Sequence, residues 1–190
     1  VLFLTFSQIA MKKKIFMEEL RNYDDAVVKF HKTLKFNTLP LTSWDYYSQF
    51  FEKTCSTAED INSLSQLAQY NAWDFDTSIF EEQLKAKEHV IIVTDAHLNI
   101  VYATQNMWDM NRYHPEQIIG NKPKMFQGEK TCKNSLKVIS NAVREKKPFE
   151  ATIVNYRKDG STYNCWIKGQ PILNTAGEVI NFIAFEKEVA

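Results

Sequence analysis

Apolar residues recur every three or four positions along the first part of the chain. Between Met11 and Phe36 there is neither glycine nor proline. The apolar positions there form one helical stripe: Phe16, Leu20, Tyr23, Val27, Phe30 and Leu34. Such a stripe is expected either on the chain's own helices in a bundle or in a coiled-coil seam with a second copy. Aromatic side chains in a seam of only about three heptads favour the bundle.

Further short helices are predicted in the first half of the chain. Pro40 ends the first helix, because proline lacks a backbone donor and clashes with the preceding turn. Thr42 can then cap a second helix. Ser56 and Glu59 have the spacing of a capping box, which predicts that a third helix begins there. A fourth is expected over residues 77–87 and leads into the second half.

The pattern changes after residue 88 from a helical period to short apolar runs. VIIVTD and IVYAT, separated by a turn, predict two strands of a hairpin. Over Gln105–Asn111 one or two helical turns are expected, with Met107, Trp108 and Met110 facing inward. Pro115 suits the first position of another short helical turn.

One longer helix and three longer strands complete the chain. Thr131 can cap a helix over Cys132–Lys146. The strands are expected over Pro148–Arg157, Ser161–Leu173 and Glu178–Glu188, and the Asp-Gly pair before the second of them favours a tight turn. The pattern predicts an α+β domain, in which short helices pack on one face of a five-stranded antiparallel sheet after an all-helical N-terminal region.

Composition narrows the function classes. The chain has 190 residues, 44% of them hydrophobic, which suffices for a packed core. Lys+Arg and Asp+Glu balance at 23 each, so no charge excess indicates nucleic acid or an anionic membrane as partner. Three cysteines without CxxC spacing fit a reducing, cytoplasmic location. Neither catalytic nor metal-ligand spacing is seen, so an enzyme is not expected.

The amino terminus carries no secretory or membrane signature. Its first ten residues are apolar, but the lysines follow the apolar run rather than precede it. Met11 therefore has the character of a natural start, with residues 1–10 as a leader or upstream extension. The predicted organisation is this leader, a helical region over 11–76, a linking helix over 77–88 and the α+β domain over 89–190.

The order of motifs in that last domain resembles the PAS family, in particular its LOV branch. The matching stretches are VIIVTD, IVYATQNMWDMNRY, GNKPKMFQG, VNYRKDGSTY and GEVINFIAFE. In the LOV branch a loop of the form G-x-N-C-R-F-L-Q-G carries the cysteine that adds to a flavin after blue light. Here Gly120, Gln127 and Gly128 match that pattern, while Pro123 stands at the cysteine. The resemblance therefore implies a LOV-like frame without photoadduct chemistry.

Other positions that the resemblance assigns to flavin are also altered. Asn155 keeps an expected amide, but Cys165 and Glu186 replace two others, and Ser140 replaces an arginine that binds phosphate. A flavin ring needs paired donors and acceptors at its pyrimidine edge. No cofactor is therefore expected, although Lys122 and Lys124 could still meet the phosphate of flavin mononucleotide. Haem is disfavoured, because no histidine follows position 114.

The same positions could surround a modest apolar ligand. The residues expected to line such a pocket are Met107, Trp108, Met125, Phe126, Gln127, Asn155, Cys165 and Glu186. Packing alone explains most of the loop: Gly120 and Gly128 allow the chain into and out of a cramped segment, and Gln127 can bind backbone groups.

The expected function is a sensory or interaction module that signals through protein contacts. A small-molecule or flavin sensor is the alternative. PAS domains commonly dimerise through the helix before the first strand and the outer face of the sheet. The resemblance therefore predicts a homodimer, in addition to an unidentified signalling partner. Its interface residues would be Ile79, Phe80, Leu84 and Trp166, unless the chain's own first-half helices cover that face.

Overall fold

The computed structural model describes residues 42–190, with side chains at residue 48 and from residue 50 onward. The predicted leader at residues 1–10, the helical stripe between Met11 and Phe36 and the break at Pro40 lie outside the described residues. Residues 48–190 form one compact unit. Among the helices described, none combines the length and the apolar character that a bilayer-spanning segment needs.

A single long helix, α1 (Thr42–Tyr70), stands where two helices were predicted. The predicted start of a helix at Ser56 is wrong, because this residue lies in the middle of α1. The neighbouring Thr57 hydroxyl donates a hydrogen bond to the carbonyl of Lys53, four residues earlier, at 2.8 Å. Hydroxyl side chains can make this bond inside a helix, so a capping-box sequence does not by itself begin one.

The sheet is antiparallel and has six strands, one more than predicted. The strands are β1 (Trp73–Asp74), β2 (Val90–Asp95), β3 (Ile100–Ala103), β4 (Phe149–Tyr156), β5 (Thr162–Asn174) and β6 (Val179–Val189). Their order is β1-β5-β6-β2-β3, and β4 pairs with β5. The five predicted strands are confirmed. The additional strand, β1, is too short to show a period and pairs with the last residues of β5.

Short helices connect the strands. The linking helix α2 (Ile79–Glu81) runs into a π-helical turn (Glu82–Ala86). Between β3 and β4 the helices are α3 (Met107–Asn111), α4 (Pro115–Ile118), a 3-10 turn (Pro123–Phe126) and α5 (Lys133–Arg144).

The predicted cap of the long helix is wrong. Cys132, not Thr131, is the N-cap residue of α5. The Thr131 hydroxyl instead accepts a hydrogen bond from the Gly128 amide at 3.0 Å and donates one to the Val154 carbonyl at 2.7 Å. Thr131 therefore joins the end of the preceding loop to β4.

The sheet has two covered faces, whereas helices were predicted on one. On the inner face, α3, α4 and α5 pack against a cluster that includes Ile92, Ile153 and Cys165. On the outer face, α1 and α2 cover a second cluster, whose buried members are Leu64, Phe80, Leu84, Ile91, Val93, Ile172, Ile183 and Phe185. This arrangement is the intramolecular cover that the sequence left open as the alternative to a dimer.

A buried carboxylate anchors α1 to the edge of the sheet. Asp60 is only 3% exposed. Its two oxygens accept hydrogen bonds from the Tyr102 hydroxyl at 2.7 Å and from the Gln105 amide at 2.9 Å. Burial raises the pKa of Asp60 above its ordinary range, and the two donors act in the opposite direction. The Asp60 carboxylate therefore has its hydrogen-bonding partners within the chain.

The predicted interface residues differ in their surroundings. Phe80 and Leu84 are buried in the outer cluster of their own chain, and Ile79 packs beside them. Trp166 lies on the outer face, opposite the side of Cys165, as predicted. Its ring nitrogen donates to Glu150 at 2.9 Å, and the centre of its ring system lies 5.2 Å from that of His89. Phe80 and Leu84 are therefore not surface residues, and the homodimer remains a prediction.

Candidate functional site

A cavity of about 380 Å³ lies between α5 and the inner face of the sheet. The sheet contributes Ile92, Thr94, Asn155, Ile167, Ala184 and Glu186, and α5 contributes Leu136, Ile139, Ser140 and Val143. The loop before α5 closes one side with Lys122, Pro123, Lys124, Phe126 and Gln127. Because Lys122 and Lys124 are also exposed to solvent, they lie where the cavity opens.

The apolar face of α5 is incompletely covered. Leu136, Ile139 and Val143 are half-buried, and no residue of this helix is fully buried. An amphipathic helix at the surface of a domain ordinarily buries its apolar face against the core. Leu136 and Ile139 touch the inner cluster, but all three side chains also line the cavity, so a bound molecule could complete their burial.

Two glycines shape the loop that borders the cavity. Gly120 has a φ of +82°, a backbone conformation that residues other than glycine rarely adopt. At Gly128, an added Cβ would lie 2.5 Å from the Tyr156 ring. The prediction that these two glycines are needed for the path of the backbone is therefore confirmed. No hydrogen bond of the Gln127 side chain is seen in the described chain, and this side chain lines the cavity instead.

The structure brings together only some of the predicted pocket residues. Phe126, Gln127, Asn155 and Glu186 line the cavity. Met107, Met125 and Cys165 do not: they belong to the inner core or pack against it. Their apolar character indicated burial correctly, but it could not separate core from cavity wall.

Trp108 does not face inward as predicted. Its side chain is 39% exposed, stacks on the His114 ring with 4.3 Å between centroids and has the Arg112 guanidinium over it at 5.9 Å. The helical period of a five-residue helix cannot distinguish this position from Met107 and Met110, which are the buried ones.

Glu186 is the most unusual polar group of the cavity. It lies on β6, is 5% exposed and has the Cys165 sulfur 3.6 Å from Oε2. Burial raises the pKa of this carboxyl to about 7. Burial, and secondly the adjacent Glu186 carboxylate, raise the pKa of the Cys165 thiol, so this thiol stays protonated and is a poor nucleophile.

Several other buried polar atoms lack a hydrogen-bonding partner within the described residues. They are Thr94 Oγ1, Asn111 Nδ2, Asn155 Oδ1 and the Tyr163 hydroxyl. Thr94 and Asn155 line the cavity. Such atoms are uncommon in folded proteins, because leaving one unpaired costs about 1 to 3 kcal/mol. Those at the cavity wall are therefore available to a ligand.

The comparisons with known proteins assign the fold. Residues 87–189 match the PAS domain family. The chain belongs to the PAS family. It is 29% identical to Protein TWIN LOV 1 of Arabidopsis thaliana over 143 residues, which are 73% of this chain and 34% of the relative. It is also 29% identical to Phototropin-2 of Oryza sativa subsp. japonica, over 58% of this chain and 12% of that protein.

Solved structures agree with this assignment. The dark structure of the blue-light photoreceptor Aureochrome1 LOV superposes with a TM-score of 0.55 at 26% identity, covering 62% of this chain and 86% of that one. The chain is thus a PAS module of the kind found in sensory proteins, and it spans about a third or less of the curated relatives named above.

Sequence reasoning missed part of the site. Thr94 was assigned to a strand, but its place on the inner face was not linked to the cavity. Period-two alternation along VIIVTD, with Val90, Ile92 and Thr94 on one side, could have supplied that signal. The resemblance placed Ser140 of α5 at the ligand site, but the apolar side chains that α5 contributes to the cavity were missed. An apolar helix face is the same whether it meets a core or a cavity.

Proposed function

We propose that this chain is a sensory module in which a small molecule occupies the cavity between α5 and the sheet, and which signals through protein contacts without a light-driven cysteine adduct. The observation that carries this proposal is the half-buried apolar face of α5 above a cavity of about 380 Å³. Protein interiors contain few voids larger than a water molecule. Ligand sites, in contrast, commonly begin near this size.

Pro123 supports the absence of adduct chemistry. It lies on the cavity wall at the position where the LOV pattern has its cysteine. Among the residues that line the cavity there is no cysteine at all. Proline has no nucleophilic atom, so no thiolate can attack a ligand held there.

A central strand offers a route for the signal. β6 pairs with both β2 and β5, and successive side chains of a strand point to opposite faces. Glu186 faces the cavity, while its neighbour Phe185 and nearby Ile183 pack in the outer cluster with α1 and α2. A ligand that moves Glu186 would therefore also change the contacts of the helices on the outer face.

Flavin mononucleotide is a second ligand to consider, because the related proteins carry LOV names and two lysines lie at the opening. The residues of this cavity do not fit the ring. Cys165 does not line the cavity, and a buried carboxyl at Glu186 faces the site. In its ionised form that carboxyl can only accept hydrogen bonds and would repel the carbonyl oxygens at a flavin's edge.

Native mass spectrometry tests the ligand-sensing proposal. Ala184 lines the cavity, so Ala184→Phe should fill it, whereas Val138→Phe places the same ring on the exposed side of α5. Wild type and Val138→Phe should carry a non-covalent small molecule that Ala184→Phe lacks. Identical ligand-free masses for the three proteins, purified gently from the same cells, would contradict the proposal.

A further inference from the structure

Three polar groups on the cavity wall have too few partners. Thr94 Oγ1 and Asn155 Oδ1 have no hydrogen-bonding partner in the described chain, and the two residues are 5% and 2% exposed. The Glu186 carboxyl has only a thiol, which is a weak donor, at 3.6 Å. Each oxygen can accept a hydrogen bond. The Asn155 side chain lies beside the Tyr163 hydroxyl, but its Oδ1 has no partner, and Glu186 has no donor stronger than the thiol.

The two strongest acceptors lie on either side of one strand. Asn155 belongs to β4 and Glu186 to β6, and β5 runs between them. Strands β4 and β6 are therefore about 10 Å apart. A single ring system can approach both positions only if it is extended and flat, and the apolar wall of Ile92, Ile139 and Ile167 suits a flat aromatic surface.

The charge of Glu186 decides which edge such a ring should present. A carboxylate accepts hydrogen bonds and attracts a cation, whereas a carbonyl-rich edge or an anion would face repulsion. A ligand made of an apolar chain and an anionic head could pair its head with Lys122 and Lys124 at the cavity opening. It would leave Asn155 and Glu186 unpaired inside.

We propose that the cavity binds a flat, basic nitrogen heterocycle that carries amino N–H donors, with one donor directed at Glu186. This inference rests on the proposed ligand-sensing function and names the chemical class of its ligand. The buried carboxyl provides the selectivity, and Asn155 provides a second acceptor. Burial raises the pKa of Glu186, and a cationic donor bound beside it would favour the ionised form.

A pair of probes of matched shape tests the inference on the full chain. 2-Aminoquinoline carries the donor edge, and 2-methylquinoline replaces the amino group with a methyl group. The amino compound should bind wild type about tenfold to a hundredfold more tightly, because hydrogen bonds to charged groups contribute on this scale. Equal affinities, or binding of neither probe, would overturn the inference. Tighter binding of octanoate than of 2-aminoquinoline would do so as well.

Two variants locate the preference. Glu186→Gln should reduce the advantage of the amino probe to about threefold or less. Glu188→Gln makes the same chemical change two residues further along β6, at a half-exposed side chain paired with Arg157, and should leave the advantage unchanged. Equal binding of the two quinolines would refute the preference for an amino donor but would leave the ligand-sensing proposal intact. That proposal is tested independently by native mass spectrometry. The wild-type comparison remains decisive if Glu186→Gln does not fold.

Discussion

Glu186 is an ionisable side chain held in the interior, and it should make the stability of the domain depend on pH. Burial raises its pKa from an ordinary value of 4.5 to about 7 in the folded protein. Between these two values the folded state keeps a proton that the unfolded state releases. Stability from this group is therefore fully present below the unfolded value and is lost as pH rises toward 7.

The matched variant isolates this contribution. Between pH 5 and pH 8, ligand-free wild type should lose roughly 2 to 3 kcal/mol more of its free energy of unfolding than Glu186→Gln does. Urea unfolding of both proteins at the two pH values measures the difference. Other buried acids, such as Asp60, are present in both proteins and cancel. Parallel pH dependences would show that Glu186 does not titrate in this range.

Pro123 is a second residue whose effect can be predicted. Pro123→Cys restores the nucleophile of the LOV pattern, but the flavin edge would still meet Glu186 and would lack an amide at Cys165. We therefore expect no light-driven adduct in this variant after reconstitution with flavin mononucleotide. Absorption spectra before and after blue light test this expectation. Reversible bleaching of the flavin band would disprove it.

Single residues also mark how far the sequence can predict the site. Asn155 and Glu186 were placed at the site by their positions in the family pattern, and the structure puts both on the cavity wall. Met125 and Cys165 were placed there in the same way, but Cys165 lies in the core and Met125 packs against it. A motif fixes the strand and the face of a residue, whereas the boundary between core and cavity depends on how α5 sits above the sheet.

The same contrast holds for whole elements. The five strands followed from alternation and from turn residues, which are local features. The continuity of α1 did not follow, because a capping sequence was taken as a start although an uninterrupted helix can also contain it. Strand β1 was missed because only its pairing with β5 defines it.

The role of α1 as a cover for the sheet leads to a prediction. Leu64 is fully buried in the outer cluster, so Leu64→Ala should lower the free energy of unfolding by about 2 to 5 kcal/mol. Gln66 lies two residues away on the exposed side of the same helix, and Gln66→Ala should change stability by about 0.5 kcal/mol or less. Chemical denaturation compares them. Similar small effects would mean that α1 is not part of the cooperative unit.

At the scale of the molecule, the part of the outer face that α1 covers cannot also bind a partner. A homodimer that used Phe80 and Leu84 would have to displace contacts made by α1, whereas one that used Trp166 would not. The half-buried ring of Trp166, held by Glu150 and beside His89, therefore remains the better anchor for a predicted partner surface.

The clearest consequence concerns a chain shortened to begin at Thr77. Removing α1 and β1 uncovers Ile91, Val93 and Ile183, which form one apolar patch on the outer face. Exposed patches of this kind drive association. The shortened chain should therefore show a mass in light scattering that rises with concentration, together with a lower melting temperature than the full chain.

A variant of the shortened chain separates this cause from general unfolding. Val93→Thr with Ile183→Thr keeps β-branched residues suited to strands but makes the patch more polar. Association should fall in this variant while the circular dichroism of the sheet persists, because only the surface has changed. If the shortened chain instead keeps the mass and the melting temperature of the full chain, the outer face does not depend on α1. The intramolecular cover would then contribute nothing to assembly.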